Sequence, residues 1–336
     1  MKNKKAKVLA VVLFLLPFLL TLASLSIGRF HIPPKDLGRT IIQAISPSAG
    51  PEVSAATRDI LFRIRLPRLL LALMAGAALS VSGASLQALF KNPLVNEYIL
   101  GISFGAAFGA ALSLVFLGKN FPAQAAAFVF ALGAVLAVLL ISGRFESHTV
   151  SLLLTGVIVS AFFQALLSLV EFFASPYALQ SLFFWLMGSL SLATWKDLSI
   201  SLPVMAVGVA ALILMRWRLN VLSLSEEEAK SMGVNVRREK LLVILLTSMI
   251  TAAATAVAGV IGWIGLIVPH LVRMMVGADN RKVVPLSAAL GASVLIIADD
   301  ITRVAATFEI PIGILTSIIG IPFFIILLRR SGKVWL

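Results

Sequence analysis

Arg216-Trp217-Arg218-Leu219-Asn220-Val221-Leu222-Ser223-Leu224-Ser225-Glu226-Glu227-Glu228-Ala229-Lys230-Ser231-Met232-Gly233-Val234-Asn235-Val236-Arg237-Arg238-Glu239-Lys240 holds ten of the chain's 43 charged residues and lies between two long apolar runs. Ser225 followed three residues later by Glu228 is the signature of a capping box, in which the hydroxyl accepts from the Glu228 amide and the carboxylate accepts from the Ser225 amide. Three glutamates in the first turn suit the positive end of the helix dipole, and Gly233 supplies a stop in the left-handed conformation. The spacing predicts a helix of about two turns over 226–232, with a bend before Arg237. On local sequence this is either a solvated connector that caps itself or a handle on which something outside the membrane pushes.

The rest of the chain makes the setting a membrane. Of 336 residues, 60% are hydrophobic and only 13% charged, and mean hydropathy is +1.03. A soluble domain is about half apolar and about a quarter charged. A spanning helix needs about 20 apolar residues. Ten stretches qualify: 8–27, 68–90, 98–117, 122–142, 149–173, 197–215, 241–260, a shorter 262–276, 283–303 and 311–328. The expected fold class is an all-α integral membrane protein of about ten transmembrane helices, one polytopic domain over 1–336, with 216–240 joining spans six and seven. The basic start, Met1-Lys2-Asn3-Lys4-Lys5, with the apolar run that follows reads as a first span rather than a signal peptide, because the run is long and no Ala-x-Ala site follows it.

Ten spans put both termini on one side, and positive charge chooses that side. With the termini in the cytoplasm, 18 of the 28 Lys and Arg lie inside. Of the ten outside, seven sit in one segment, Arg29 to Arg68, against the trend. Net charge +13 then reflects cytoplasmic loops and lipid headgroups rather than nucleic acid. There is no cysteine, which excludes disulfides and thiolate metal sites; no metal site is expected. Gly118-Lys119 and Gly332-Lys333 lack the leading glycine and the hydroxyl of a nucleotide-binding loop, so the chain is not expected to hydrolyse nucleotide by itself.

Three further segments carry chemistry. In Arg63-Ile64-Arg65-Leu66-Pro67-Arg68, Pro67 marks a helix start, Arg65 and Arg68 share a face, and cations there oppose the helix dipole by about 0.3–1 kcal/mol each. Either an acidic partner outside or screening by Asp59 and headgroups answers them. Gly262-Trp263-Ile264-Gly265-Leu266-Ile267-Val268-Pro269-His270-Leu271-Val272-Arg273 predicts a broken helix with Arg273 reaching the inner interface. His270 reads as a structural histidine bonded to backbone, or else a proton relay. Ala298-Asp299-Asp300-Ile301-Thr302-Arg303 and Glu309-Ile310-Pro311-Ile312-Gly313 place charge at the outer mouth, with Asp299 and Arg303 at pairing distance. Gln87, Gln164 and Glu171 face a polar pathway or bond a neighbouring helix. Gly101, Gly105 and Gly109, Gly156 with Ser160, Gly313 with Ser317, and Thr316 with Gly320 have helix-packing spacing, for packing within the chain or for a dimer or pathway face.

Together these segments resemble the permease subunits of type II ABC importers, the FecCD/BtuC-like group that carries iron siderophores, haem and cobalamin. Arg65-Leu66-Pro67-Arg68 with Gly83, Gln87 and Asn92-Pro93-Leu94 is similar to that family's second-helix signature. Gly265 to Arg273 is similar to its Gly-Leu-x-x-Pro-His-x-x-Arg run, and Glu309 to Gly313 to its Glu-Leu-Pro-x-Gly run. The resemblance covers nearly the whole chain. It implies a homodimer in the cytoplasmic membrane, two cytoplasmic ATPase subunits that bind ATP and Mg, and an extracytoplasmic binding protein. It also implies an ATPase contact at Ser225, Glu226, Glu227, Glu228, Ala229, Met232 and Gly233, and docking arginines at Arg65, Arg68 and Arg303. A pathway on the fifth and tenth spans, at Gly156, Ser160, Gln164, Gly313, Thr316, Ser317 and Gly320, would lead to an inner gate near Arg144, Glu146, Ser147 and His148. Trp263 replaces the usual Phe, Asp300 is an added acid, and Asn96-Glu97 stands where small residues or Pro are usual. Substrates open to this reading are metal chelates or a small metal oxyanion such as molybdate. A stand-alone secondary carrier is the less favoured alternative, because the mid-span acids it would need are scarce, and an intramembrane enzyme built on His270 lacks a partner group.

Overall fold

In the computed structural model, residues 2–46, 53–118, 121–143, 149–306 and 308–331 are described, and helix is the only regular secondary structure among them. Each of the ten predicted apolar segments is helical. They are α1 (Lys2–Ser24), α4 (Leu66–Leu89), α5 (Ile102–Leu112), α6 (Ala123–Ile141), α7 (Thr149–Phe173), α9 (Trp195–Leu214), α12 (Val236–Ala258), α13 (Ile264–Val276), α14 (Asn280–Val304) and α15 (Ile312–Ser331). Six stretches are long and apolar enough to cross a membrane unaided, and four shorter apolar helices complete the set. The short helices α2 (Pro34–Ile45), α3 (Ala55–Asp59), α8 (Pro176–Leu186), α10 (Arg216–Leu222) and α11 (Glu226–Ser231) lie between them.

Helix α4 is the axis of the fold. It is apolar all round and buried along nearly its whole length, as a helix surrounded by other helices must be. It packs on α9, α12, α13 and α14, while α5, α6 and α7 form a neighbouring group. With lipid on the outside there is no hydrophobic force between helices, so close backbone approach and dispersion must hold them. Two glycine pairs supply that approach. A Cβ on Gly76 would overlap the Gly291 carbonyl of α14, and one on Gly83 would overlap the Gly265 carbonyl of α13. Gly105 and Gly109 likewise lean on carbonyls of α6, so that stripe serves packing within the chain.

Hydrogen bonds gather the helix ends into two sets. Lys91 donates to the Leu224 carbonyl, and Asn220 bonds Asp279 at 2.7 Å. At the other set, Ser24 and Arg303 meet at 2.6 Å, and Trp195 donates to the Phe62 carbonyl at 2.8 Å. Each set contains only ends that a ten-span alternation assigns to one side of the membrane.

Pro67 stands in the first turn of α4, as expected, but the chain before it is already helical. From Ala55 to Leu89 the chain is continuously helical, through a π-helical stretch at Ile60–Arg65. The wider turn absorbs the missing proline N–H. Arg65 and Arg68 therefore sit in the body of a helix, and the dipole penalty expected of a first turn does not apply.

Candidate functional site

The capped helix forms as its sequence requires. Ser225 Oγ accepts from the Glu228 amide at 3.2 Å, and the Ser225 amide donates to Glu228 Oε2 at 2.9 Å. The Ser225 hydroxyl also donates to Glu228 Oε2 at 2.8 Å, and this bond with that of the Ser225 amide holds the Glu228 carboxyl below its usual pKa. Helix α11 ends on Met232, and Gly233 follows at φ 77°. Ala229 is its buried anchor. Ser225, Glu226, Glu227, Glu228, Met232 and Gly233 are exposed, and Met232 is an apolar knob 50% exposed. Lys240 pairs with Glu226, which lowers the glutamate's pKa, and Arg218 pairs with Glu239 at 2.7 Å. What remains is a short, rigid surface helix presenting two uncommitted ends, Glu227 and Met232, to whatever lies beyond.

At the opposite set of helix ends the three arginines are not on the surface. Arg65, Arg68 and Arg303 are 4%, 5% and 6% exposed. Arg65 donates to the Leu25 and Phe30 carbonyls. Arg68 binds Asp299 at 2.8 Å and Glu309 at 2.9 Å. Arg303 pairs with Asp299 at 3.2 Å and also with Asp300, which accepts from Ser24 as well. The predicted Asp299–Arg303 pair is thus present, and the added Asp300 is part of it. Two cations, Arg68 and Arg303, face three acids in a cluster joining α1, α4, α14 and the approach to α15, and Arg65 beside them is held by two backbone carbonyls. Buried charge is tolerated because each group has a charged or hydrogen-bonding partner. Glu309, with 37% of its side chain exposed, is its most accessible carboxylate. The exposed Arg63 pairs with Asp59 at 3.2 Å.

Several pathway residues turn inward within the single chain. Gly156 is pressed against the Ile99 carbonyl, Gly313 against the carbonyls of Met187 and Val260, and Gly320 against Trp263. Ser160 and Ser317 bond the carbonyls of Gly156 and Gly313, both at 2.7 Å, and Thr316 is buried. Gln164 is exposed on α7. Arg144, Glu146, Ser147 and His148 lie outside the described residues.

Helix α13 begins where Trp263 takes a left-handed conformation, φ 73°. Arg273, half-buried in the last turn of α13, donates to Gln87 and, at 3.4 Å, to the Ala84 carbonyl. Gln87 is already placed by its own bond to the Gly265 carbonyl at 3.2 Å, so it joins helices. His270 is half-buried and has no hydrogen bond among the described residues, so the expected backbone tether is absent. One buried acid escaped the motif reading altogether. Glu97 is fully buried beside Gly265; its only sequence signal is its unusual place after Asn92-Pro93-Leu94.

Ten apolar helices, with one capped helix exposed between spans six and seven, make a multi-pass membrane protein. The chain belongs to the FecCD transport family, whose model matches residues 15–330. It is 37% identical over 329 residues to the molybdate import system permease protein MolB of Haemophilus influenzae, covering 96% of this chain and 97% of that one. It is 41% identical over 275 residues to a probable iron chelatin transport system permease protein of Helicobacter pylori, covering 82% and 84%. Among solved structures it is similar to an inward-facing conformation of a metal-chelate type ABC transporter, with a TM-score of 0.85 at 36% identity over 96% of this chain and 99% of that one. It is a permease subunit of the ABC importer type, and its partners are an ATPase and a binding protein of that system.

Proposed function

We propose that two copies of this chain form the membrane path of an importer for a metal chelate, a ferric siderophore, haem or cobalamin, driven by two separate ATPase subunits that grip α11. The observation that carries this reading is the exposed, self-capped helix between spans six and seven, whose buried Ala229 fixes it to the body while Glu227 and Met232 stand free. The nucleotide and Mg belong to the partner. The bound chelate is delivered from outside by a soluble binding protein. The exposed apolar faces of α7 and α15, including Ile158, Phe162, Ile318 and Ile319, meet their copies around the path, with Gln164 on its wall.

The outer arginines enter this reading in a changed form. Buried and paired, Arg68 reaches a docking acid by exchanging Glu309 for the partner's carboxylate, while Arg65 and Arg303 hold the surrounding frame. A small oxyanion is the second reading for the cargo, favoured by the near full-length similarity to a molybdate permease.

The test of coupling is transport in vesicles containing the chain and its ATPase. Glu227→Arg with Glu228→Arg should abolish uptake while leaving the chain folded and inserted; uptake at the unaltered rate would overturn the assignment of α11. The chain purified alone should show no ATP hydrolysis. Uptake that persists without ATP but with a proton gradient would replace this reading by a secondary carrier.

A further inference from the structure

The segment 91–101, between α4 and α5, touches three elements at once. At its start, Lys91, in a left-handed conformation at φ 50°, donates to the Leu224 carbonyl one residue before the cap of α11. Beside it Ser223 donates to the Ala88 carbonyl at 3.4 Å. At its end, the Ile99 carbonyl is pressed into Gly156, and Gly101 abuts Val159 and Ser160, all on α7. In its middle, Tyr98 both donates to the Ile261 carbonyl at 3.0 Å and accepts from the Ile261 amide at 3.2 Å. The Gly265 amide donates to Glu97 Oε1 at 3.4 Å.

The segment is stiff. Asn92 and Asn96 side chains cap the amides of Leu94 and Tyr98 at 2.9 and 3.2 Å. Backbone turns close at Val95, Ile99 and Gly101, and Val95 and Leu100 are buried. Side-chain caps of this kind replace a helix ladder where the chain must bend.

Glu97 seats this segment. Its side chain is fully buried and Oε2 has no hydrogen-bond partner. The space it fills exists because residue 265 is glycine; a Cβ there would overlap Glu97 Oε2 and the Leu79 carbonyl. No cation pairs with it among the described residues. Tyr98 follows it in the chain and is occupied by Ile261; on α13, the helix packed against it, the titratable and charged groups are His270 and Arg273, the arginine being committed to Gln87. An unpaired carboxylate in such a place is far costlier than the neutral acid.

We propose that segment 91–101 is a strut that carries displacement of the ATPase-contact helix α11 to the pathway helix α7, and that Glu97, as a neutral acid, is the positioning residue that seats it on α13. This rests on the coupling role proposed for α11. The strut explains why Glu97 tolerates burial: its carboxyl holds the amide end of Gly265 while Gln87 holds the carbonyl end, so the break before α13 and the strut move as one body.

The natural chain has no cysteine, so Leu154→Cys on α7 and Val207→Cys on α9, both exposed, can carry a spin-label pair without background. The test uses the complete transporter with its ATPase in lipid nanodiscs, read with and without ATP. A nucleotide-dependent shift in the label distance is expected in the parent and in Glu97→Gln, which keeps the shape without a charge. Loss of the shift, with ATP hydrolysis retained, is expected in Glu97→Ala and in Glu97→Asp, whose shorter side chain withdraws from Gly265. A protonated-carboxyl band in the infrared spectrum should be present in the parent and missing from Glu97→Gln, whether or not the alanine variant folds. A full shift in Glu97→Ala or Glu97→Asp, loss of it in Glu97→Gln, or no band assigned to Glu97 would overturn the proposal. No shift in the parent itself would instead overturn the coupling role of α11.

Discussion

Asp299 shows how one buried acid organises an end of the molecule. It is fully buried and is bound by both Arg68 and Arg303. Removing one partner of a buried ion pair leaves charge unanswered and costs about 3–5 kcal/mol. Asp299→Ala should therefore lower the thermal unfolding midpoint of the detergent-solubilised chain well below that of Asp59→Ala, whose pair with Arg63 is exposed and is worth about 0–1 kcal/mol. Glu309→Gln should tighten docking of the binding protein, since Arg68 is then less committed; equal or weaker binding in a pull-down titration would count against the exchange. Asp279 caps α14 at the cytoplasmic end. Its bonds from Arg281 and Asn220 depress its pKa to about 2. A depressed carboxylate stabilises the fold fully above its unfolded value of about 3.9 and loses that contribution as pH falls toward 2. Asp279→Ala should cost about 0.5–2 kcal/mol at neutral pH, and the difference from the parent should shrink below about pH 4.

At the scale of elements, two crossings of α4 depend on glycine. Gly76 with Gly291 sets its approach to α14, and Gly83 with Gly265 its approach to α13. A Cβ on Gly83 would meet only backbone, which cannot swing aside. Gly83→Ala should cost about 1–3 kcal/mol through forced separation, visible as a lower unfolding midpoint, whereas Gly133→Ala, with open space at its Cβ, should be silent. Helix α13 is short for a span. Its 13 residues rise about 20 Å, short of a bilayer core of about 30 Å. It spans only with the help of the irregular approach at 259–263, where Tyr98 satisfies the backbone of Ile261 at both ends. Irregular backbone at such a depth survives only where protein supplies its hydrogen bonds.

For the whole molecule, the described chain leaves α15 lightly attached. An apolar cavity of about 280 Å³ lies beside it, lined among others by Trp263, Ile267, Leu271, Ile297 and Phe323. Its outward face, with Ile314, Ile318 and Ile325, suits a second copy. Because no cysteine is present, Ile318→Cys alone should give a disulfide-linked dimer on oxidation in membranes. A monomer under conditions that crosslink a control across another helix pair would argue against the proposed arrangement.

The sequence by itself determined the ten apolar helices and the capped helix down to its individual hydrogen bonds. Those depend on local quantities: the length of an apolar run, a hydroxyl three residues before a carboxylate. Only the tertiary structure decided what the long-range polar groups do. Arg65, Arg68 and Arg303 read as docking charges because a linear reading cannot see that Asp299, Asp300, Glu309 and Ser24 converge on Arg68 and Arg303 from across the chain, or that the Leu25 and Phe30 carbonyls take up Arg65. Glu97 read as a mere departure because its meaning depends on Gly265, 168 residues away. Charge in a membrane protein is placed by its distant partner, through the cost of leaving it unpaired, and that partner is chosen by how helices cross.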